Sequence, residues 1–144
     1  MKNLLALLMI CFSAYSHAYP LEHNYWSHRS VLFFAPQQDQ YVEKFEAEEL
    51  RYRCQIKERD MVVLVVTEDA KAISSGHFDD GGFEYLRNKY QASLKQYTAV
   101  LVGKDGREKY RWGAETDWQK IFSIIDAMPM RQREMRDAPS VCSA

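Results

Sequence analysis

The chain has 144 residues, 47% of them hydrophobic and 27% charged, with a formal net charge of -1. That is one domain's worth of chain, apolar enough to close a packed core, and it excludes a disordered chain. The balanced charge gives no footprint for nucleic acid or for an acidic membrane surface as the main partner.

The first residues read as a targeting segment. Lys2 supplies a positive start, Leu4 to Phe12 an apolar run, and Ser16-His17-Ala18 small residues at the two positions a signal peptidase reads. The expected signal peptide is therefore residues 1–18, with cleavage after Ala18. Its apolar run is too short to span a bilayer. Cys11 follows Ile10, where a lipoprotein anchor needs a small residue, so it is expected to leave with the signal. No second long apolar run follows, so no stable membrane insertion is expected after cleavage. The mature protein is then periplasmic or secreted, and its two remaining cysteines, Cys54 and Cys142, meet an oxidising compartment.

Tyr19 to Ser30 reads as an extended lead-in whose Tyr25 and Trp26 cover an edge of the core. Val31 to Ala35 is continuously apolar, as a strand covered on both faces must be, and Pro36 ends it. From Gln37 to about Lys57 the spacing predicts one helix. Tyr41, Val42, Phe45, Tyr52 and Ile56 form its buried stripe, with Ala47, Leu50 and Cys54 roughly opposite. Met61 to Val66 is a second apolar strand, parallel to the first through a right-handed crossover. A long polar connection, Thr67 to Gly82, leads to a helix carrying Phe83, Leu86, Tyr90 and Leu94 on one face.

Thr98 to Val102, the turn Gly103-Lys104-Asp105-Gly106, and Glu108 to Trp112 read as a β-hairpin. Its first strand is apolar throughout and central. Its second alternates, with Tyr110 and Trp112 inward and charges outward, as suits an edge. Thr116-Asp117-Trp118-Gln119 reads as a capping box that opens a helix with Trp118, Ile121, Phe122, Ile125 and Met128 on its apolar face. Pro129 stops that helix or starts a new turn. Residues 138–144 read as a loose tail after a domain spanning 19–137.

The order βα, βα, ββ, α is that of a thioredoxin-like α/β fold: a central mixed four-stranded sheet with helices on both faces. Three segments carry a more specific resemblance: Arg29 to Pro36, Leu101 to Gly106, and Ile125 to Arg131 with Glu134-Met135-Arg136. Together they resemble the small bacterial proteins of the DUF4174 family, itself similar to a domain of animal extracellular-matrix and sushi-repeat proteins. The segment Ile125-Asp126-Ala127-Met128-Pro129-Met130-Arg131 is the most specific. The resemblance implies a thioredoxin-like fold and an exported protein, and it assigns no activity.

A thioredoxin-like enzyme holds its thiolate at the start of the first core helix, where the helix dipole and free N–H groups lower the thiol pKa. Here that stretch is Ala35-Pro36-Gln37-Gln38-Asp39, and Gln96-Tyr97-Thr98 stands where such folds place a cis-proline. The usual dithiol site is absent, so the expected function is a non-catalytic binding or structural module. Its partner would be an unidentified protein or another component of the cell envelope. No cofactor or metal pattern is present: His23, His28 and His77 lack ligand spacing, and His77 with Asp79 and Asp80 reads as a solvated loop.

Two readings of Cys54 and Cys142 stand side by side. One is a structural disulfide, worth about 4 to 5 kcal/mol for so long a loop on the chain-entropy model. The other is a divergent thiol oxidoreductase or peroxidase in which Cys54, near Arg53 and Lys57, attacks and Cys142 resolves. Met130, Arg131, Arg133, Met135 and Arg136 form the expected interaction surface, because Arg and Met are enriched at interfaces.

Overall fold

The structure, a computed structural model, describes residues 27–68 and 80–142. The expected signal peptide, the lead-in with His23, Tyr25 and Trp26, and most of the polar connection, with His77 and Asp79, lie outside the described residues.

Four strands form the sheet: β1 (Arg29–Ala35), β2 (Met61–Thr67), β3 (Thr98–Val102) and β4 (Glu108–Trp112), in the order β2-β1-β3-β4. β1 runs parallel to β2 and antiparallel to β3, and β3 pairs antiparallel with β4. This is the thioredoxin-like arrangement. β1 and β3 are central and β2 lies at an edge, yet all three are apolar and buried along nearly their whole length, as strands covered on both faces are.

Side chains alternate along a strand, so β1 feeds two cores. Val31, Phe33 and Ala35 face α1 (Gln40–Arg51), α2 (Arg53–Glu58) and α4 (Trp118–Asp126), through Val42, Phe45, Ile56, Trp118, Ile121 and Ile125. Leu32 and Phe34 face α3 (Asp80–Lys89) and the turn that follows it, through Leu86 and Tyr90. Phe33 and Phe45 stack with centroids 4.5 Å apart. Tyr110 and Trp112 on β4 stack at 5.4 Å and lie half-buried against the first core, with Lys109 and Arg111 outward.

Three element boundaries differ from the sequence expectation. The first helix is two. Asp39 caps α1 at Gln40, three residues later than expected, and the chain bends at Tyr52, whose φ of -96° and ψ of 14° end α1 and open α2. The Tyr52 ring packs 6.2 Å from Trp118 and 5.7 Å from Phe122, so a contact with α4 overrides the helical period. α3 stops at Lys89 instead of running on to Leu94. Gln91 takes a left-handed φ of 49°, while Gln91 N–H bonds Asn88 O and Ala92 N–H bonds Arg87 O, the paired bonds of a Schellman ending. The cap of α4 is Asp117, which accepts from Lys120 N–H at 3.0 Å, and not Thr116. The Thr116 hydroxyl accepts from the Trp112 indole instead, at 2.9 Å.

Beyond α4, Met128 is extended and Pro129 sits in the first turn of α5 (Pro129–Asp137), where its missing N–H costs nothing. Among the described residues no helix is long and apolar enough to cross a membrane.

Candidate functional site

The two ends of β1 carry the polar chemistry of the molecule. At its C-terminal end, Pro36 turns the chain into α1. Asp39 Oδ1 accepts from Tyr41 N–H at 3.0 Å and from Val42 N–H at 3.4 Å. The Tyr97 hydroxyl donates to the other oxygen, Oδ2, across the gap between α1 and the start of β3. The Tyr97 ring is held 5.1 Å from Tyr41 and 6.4 Å from Phe33. The Tyr97 hydrogen bond, helped by the two backbone N–H groups, holds the Asp39 carboxyl below the usual carboxylate range. The same bond pushes the Tyr97 phenol up to about 12. Where the fold usually places a thiolate facing a proline, this chain places a carboxylate clamped by a phenol. A carboxylate suits a helix N-terminus electrostatically, and it does not take part in thiol–disulfide exchange.

Neither Asp39 nor Tyr97 was among the expected site residues. An Asp just ahead of the apolar positions Tyr41, Val42 and Phe45 is a helix-start signal that marks Asp39. Nothing local in the sequence marks Tyr97, which reaches Asp39 across 58 positions of chain.

At the opposite end of β1, Arg29 is 1% exposed and forks onto Glu134, with Nη1–Oε2 at 3.1 Å and Nη2–Oε1 at 3.2 Å. Arg29 Nη1 also donates to the Arg59 carbonyl at 2.8 Å. Lys104, from the hairpin turn, reaches Glu134 and Asp60, each at 2.8 Å. Arg59 grips Asp126 at 3.0 and 2.6 Å, with its guanidinium 4.5 Å from the Phe122 ring centroid. Arg131 donates to Asp126 at 3.2 Å and to Glu58 O at 2.9 Å. Burial works to raise the Glu134 pKa, but hydrogen bonds from Arg29 and Lys104 hold it below its ordinary value. His28 at this end is held below its ordinary value, first by burial and then by the Lys104 charge.

This network corrects the expected interaction surface. Arg131 is only 4% exposed and is consumed inside the molecule, so it is not a contact residue. Met130, Arg133 and Arg136 are exposed, and Met135 is half-buried. The reason lies in the short link between α4 and α5, which turns the first helical turn of α5 back onto Asp126 and Glu58.

The hairpin turn completes this end. A Cβ on Gly103 would lie 2.5 Å from Lys109 Cε and 2.9 Å from Asp105 Oδ1. Gly103 is bare so that the Lys109 stem can cross it and pair with Asp105 at 2.7 Å. Arg29, Lys104, Lys109, Met128, Pro129 and Met130 border a shallow recess of about 240 Å³ here.

The structure joins Cys54, on α2, to Cys142, with Cα atoms 5.8 Å apart and a sequence separation of 88. The bridge does not sit in an apolar seam. Leu50 is 68% and Val141 87% exposed, so Val141 does not settle on the Ala47, Leu50, Cys54 stripe. With Tyr52, Gln55, Phe122 and their neighbours, Ser140 and Cys142 enclose a cleft of about 500 Å³.

Comparison with known proteins gives the family. The sequence profile of the Domain of unknown function (DUF4174) matches residues 20–134, and the chain belongs to that family. It is 38% identical over 52 residues to Coiled-coil domain-containing protein 80 of Danio rerio, a stretch covering 35% of this chain and 6% of that protein. The chain thus spans a small fraction of that relative's length. A solved structure described as DsbH Oxidoreductase superposes over 75% of this chain and 80% of its own, at 17% identity and a TM-score of 0.48. A likeness of that degree says nothing of activity.

Proposed function

We propose that this member of the DUF4174 family is an exported binding or structural module that has given up dithiol chemistry at the position where its fold usually performs it. One observation supports this above the others: the N-terminus of α1 is occupied by Asp39, which is capped onto two backbone N–H groups and clamped by Tyr97. The partner is a protein or another component of the cell envelope, met at the exposed part of α5 formed by Met130, Arg133 and Arg136 with Met135 at its margin. The compartment is the periplasm or the extracellular space. A signal-like N-terminus and a Cys54–Cys142 bridge both support that placement, since such bridges persist in oxidising compartments.

The test is turnover of a protein disulfide substrate by the exported mature chain with a dithiol reductant. The expected result is a rate no greater than that of a variant lacking both cysteines. Turnover at the level of a true thioredoxin would overturn the reading. A photo-crosslinker placed at Met130 in exporting cells is expected to give a discrete adduct that Arg133→Glu with Arg136→Glu abolishes.

A second reading, a divergent thiol oxidoreductase or peroxidase using Cys54 and Cys142, is favoured by one feature: Cys54 is exposed, and its partner borders an open cleft. Cys54→Ser separates the two readings. The module loses thermal stability with no change in turnover, whereas the enzyme loses turnover with its melting temperature largely kept.

A further inference from the structure

The cleft beside the bridge has the makings of a ligand site. Its volume, about 500 Å³, falls in the range that takes small organic molecules. Its floor is aromatic, with Tyr52 and Phe122 meeting edge to face at 5.7 Å. Of its two arginines, Arg59 is committed to Asp126 at 2.6 Å and lies 3.7 Å from Glu58. Arg51 stands exposed at the rim, its guanidinium 5.7 Å from the Tyr52 ring centroid, and it forms no ion pair among the described residues. At the back, Glu58 Oε1 is buried and accepts no hydrogen bond among the described residues, with Arg131 Nη2 4.0 Å away. A buried acceptor of this kind is costly unless a donor meets it. The last wall is Ser140 and Cys142, which the bridge pins to α2.

From this geometry we infer that the cleft binds a short peptide or acylated amino acid with a free carboxylate. The carboxylate pairs with Arg51, an N–H donates to the Glu58 carboxylate where it lines the cleft, and an aromatic or apolar side chain lies on Tyr52 and Phe122. The Cys54–Cys142 bridge holds the wall that closes the site over this ligand. This site is independent of the α5 surface.

The experiment is a titration of the isotope-labelled mature chain with the dipeptide alanyl-phenylalanine and with its C-terminal amide, followed by amide chemical shifts. The peptide acid is expected to move Tyr52, Gln55, Gln119, Phe122 and Ser140 signals. The amide is expected to bind about tenfold more weakly, and Arg51→Ala to erase the difference between the two. Gln119→Trp fills the cleft from an exposed helix position, leaving bridge and core alone, and is expected to abolish binding. Opening the bridge with a phosphine reductant frees the wall and is expected to weaken binding several-fold. No movement of these signals at millimolar peptide, or undiminished binding by Gln119→Trp, overturns the site. Equal binding of acid and amide overturns the role of Arg51, and unchanged affinity after reduction overturns that of the bridge.

Discussion

The two ends of β1 solve the same problem, polar groups at the margin of an apolar sheet, in opposite ways. At the Ala35 end one carboxylate is satisfied by two backbone N–H groups and one phenol, close to solvent. At the Arg29 end four cations and four carboxylates from α2, its following turn, the hairpin and the last two helices interlock around a fully buried guanidinium. The first arrangement is local and tolerant of change. The second ties together segments more than 100 positions apart, so each member depends on the rest. The difference locates the stability of the molecule at the end away from the place where the fold usually does chemistry.

The largest effects come from that stable end. Cys54→Ser removes a cross-link between residues 88 apart and is expected to cost about 4 to 5 kcal/mol by urea unfolding under non-reducing conditions, on the chain-entropy model. Arg29→Ala strands Glu134 without its fork and is expected to cost about 3 to 5 kcal/mol, as broken buried pairs do. Equal loss from Arg29→Ala and from the exposed Arg133→Ala would break the contrast.

Acid sharpens the contrast further. Glu134 has a lowered folded pKa, so the stability it contributes is present above the ordinary carboxylate value and is lost as pH falls through the lowered one. Glu134→Gln should therefore be much less stable than the parent at neutral pH, with the gap narrowing in acid. A gap that widened on acidification would contradict this sign.

At the other end effects shrink. Asp39→Ala loses one helix cap, expected at about 1 kcal/mol by urea unfolding. Tyr97→Phe leaves both backbone bonds of Asp39 and should shift stability least of all. Its signature is the Asp39 side-chain titration, followed by carboxyl carbon shifts, moving up toward the ordinary carboxylate value.

Much of this was legible in the residues because the signals were local. The runs Val31 to Ala35 and Thr98 to Val102 announce buried strands, Pro36 ends the first, and helical spacing marks α4 by Trp118, Ile121, Phe122 and Ile125. What was not legible depends on partners far along the chain. Tyr52 breaks a helix whose period runs on unbroken, because its ring is wanted by Trp118 and Phe122. Gln91 takes a left-handed conformation that the sequence would lead one to seek at a glycine. Arg131 looks like one of three surface arginines, and only the fold shows that Asp126 and Glu58 have claimed it. The Asp39–Tyr97 clamp escaped for the same reason. Its cap half is a short-range rule, and its phenol half is a meeting of the first helix with the third strand.

The bridge also changes what it means to cut this chain. Residues 55 to 141 lie inside a covalent ring closed by sulfur, and that ring contains β2, β3, β4 and every helix from α3 onward. A single break in the backbone anywhere inside it leaves one molecule, not two. Where the break falls before Thr98, the piece bearing β1 and the piece bearing β3 stay leashed at high effective concentration, ready to re-form their shared sheet. A nicked protein would therefore run as a single species until reductant is added, and only then come apart into its halves.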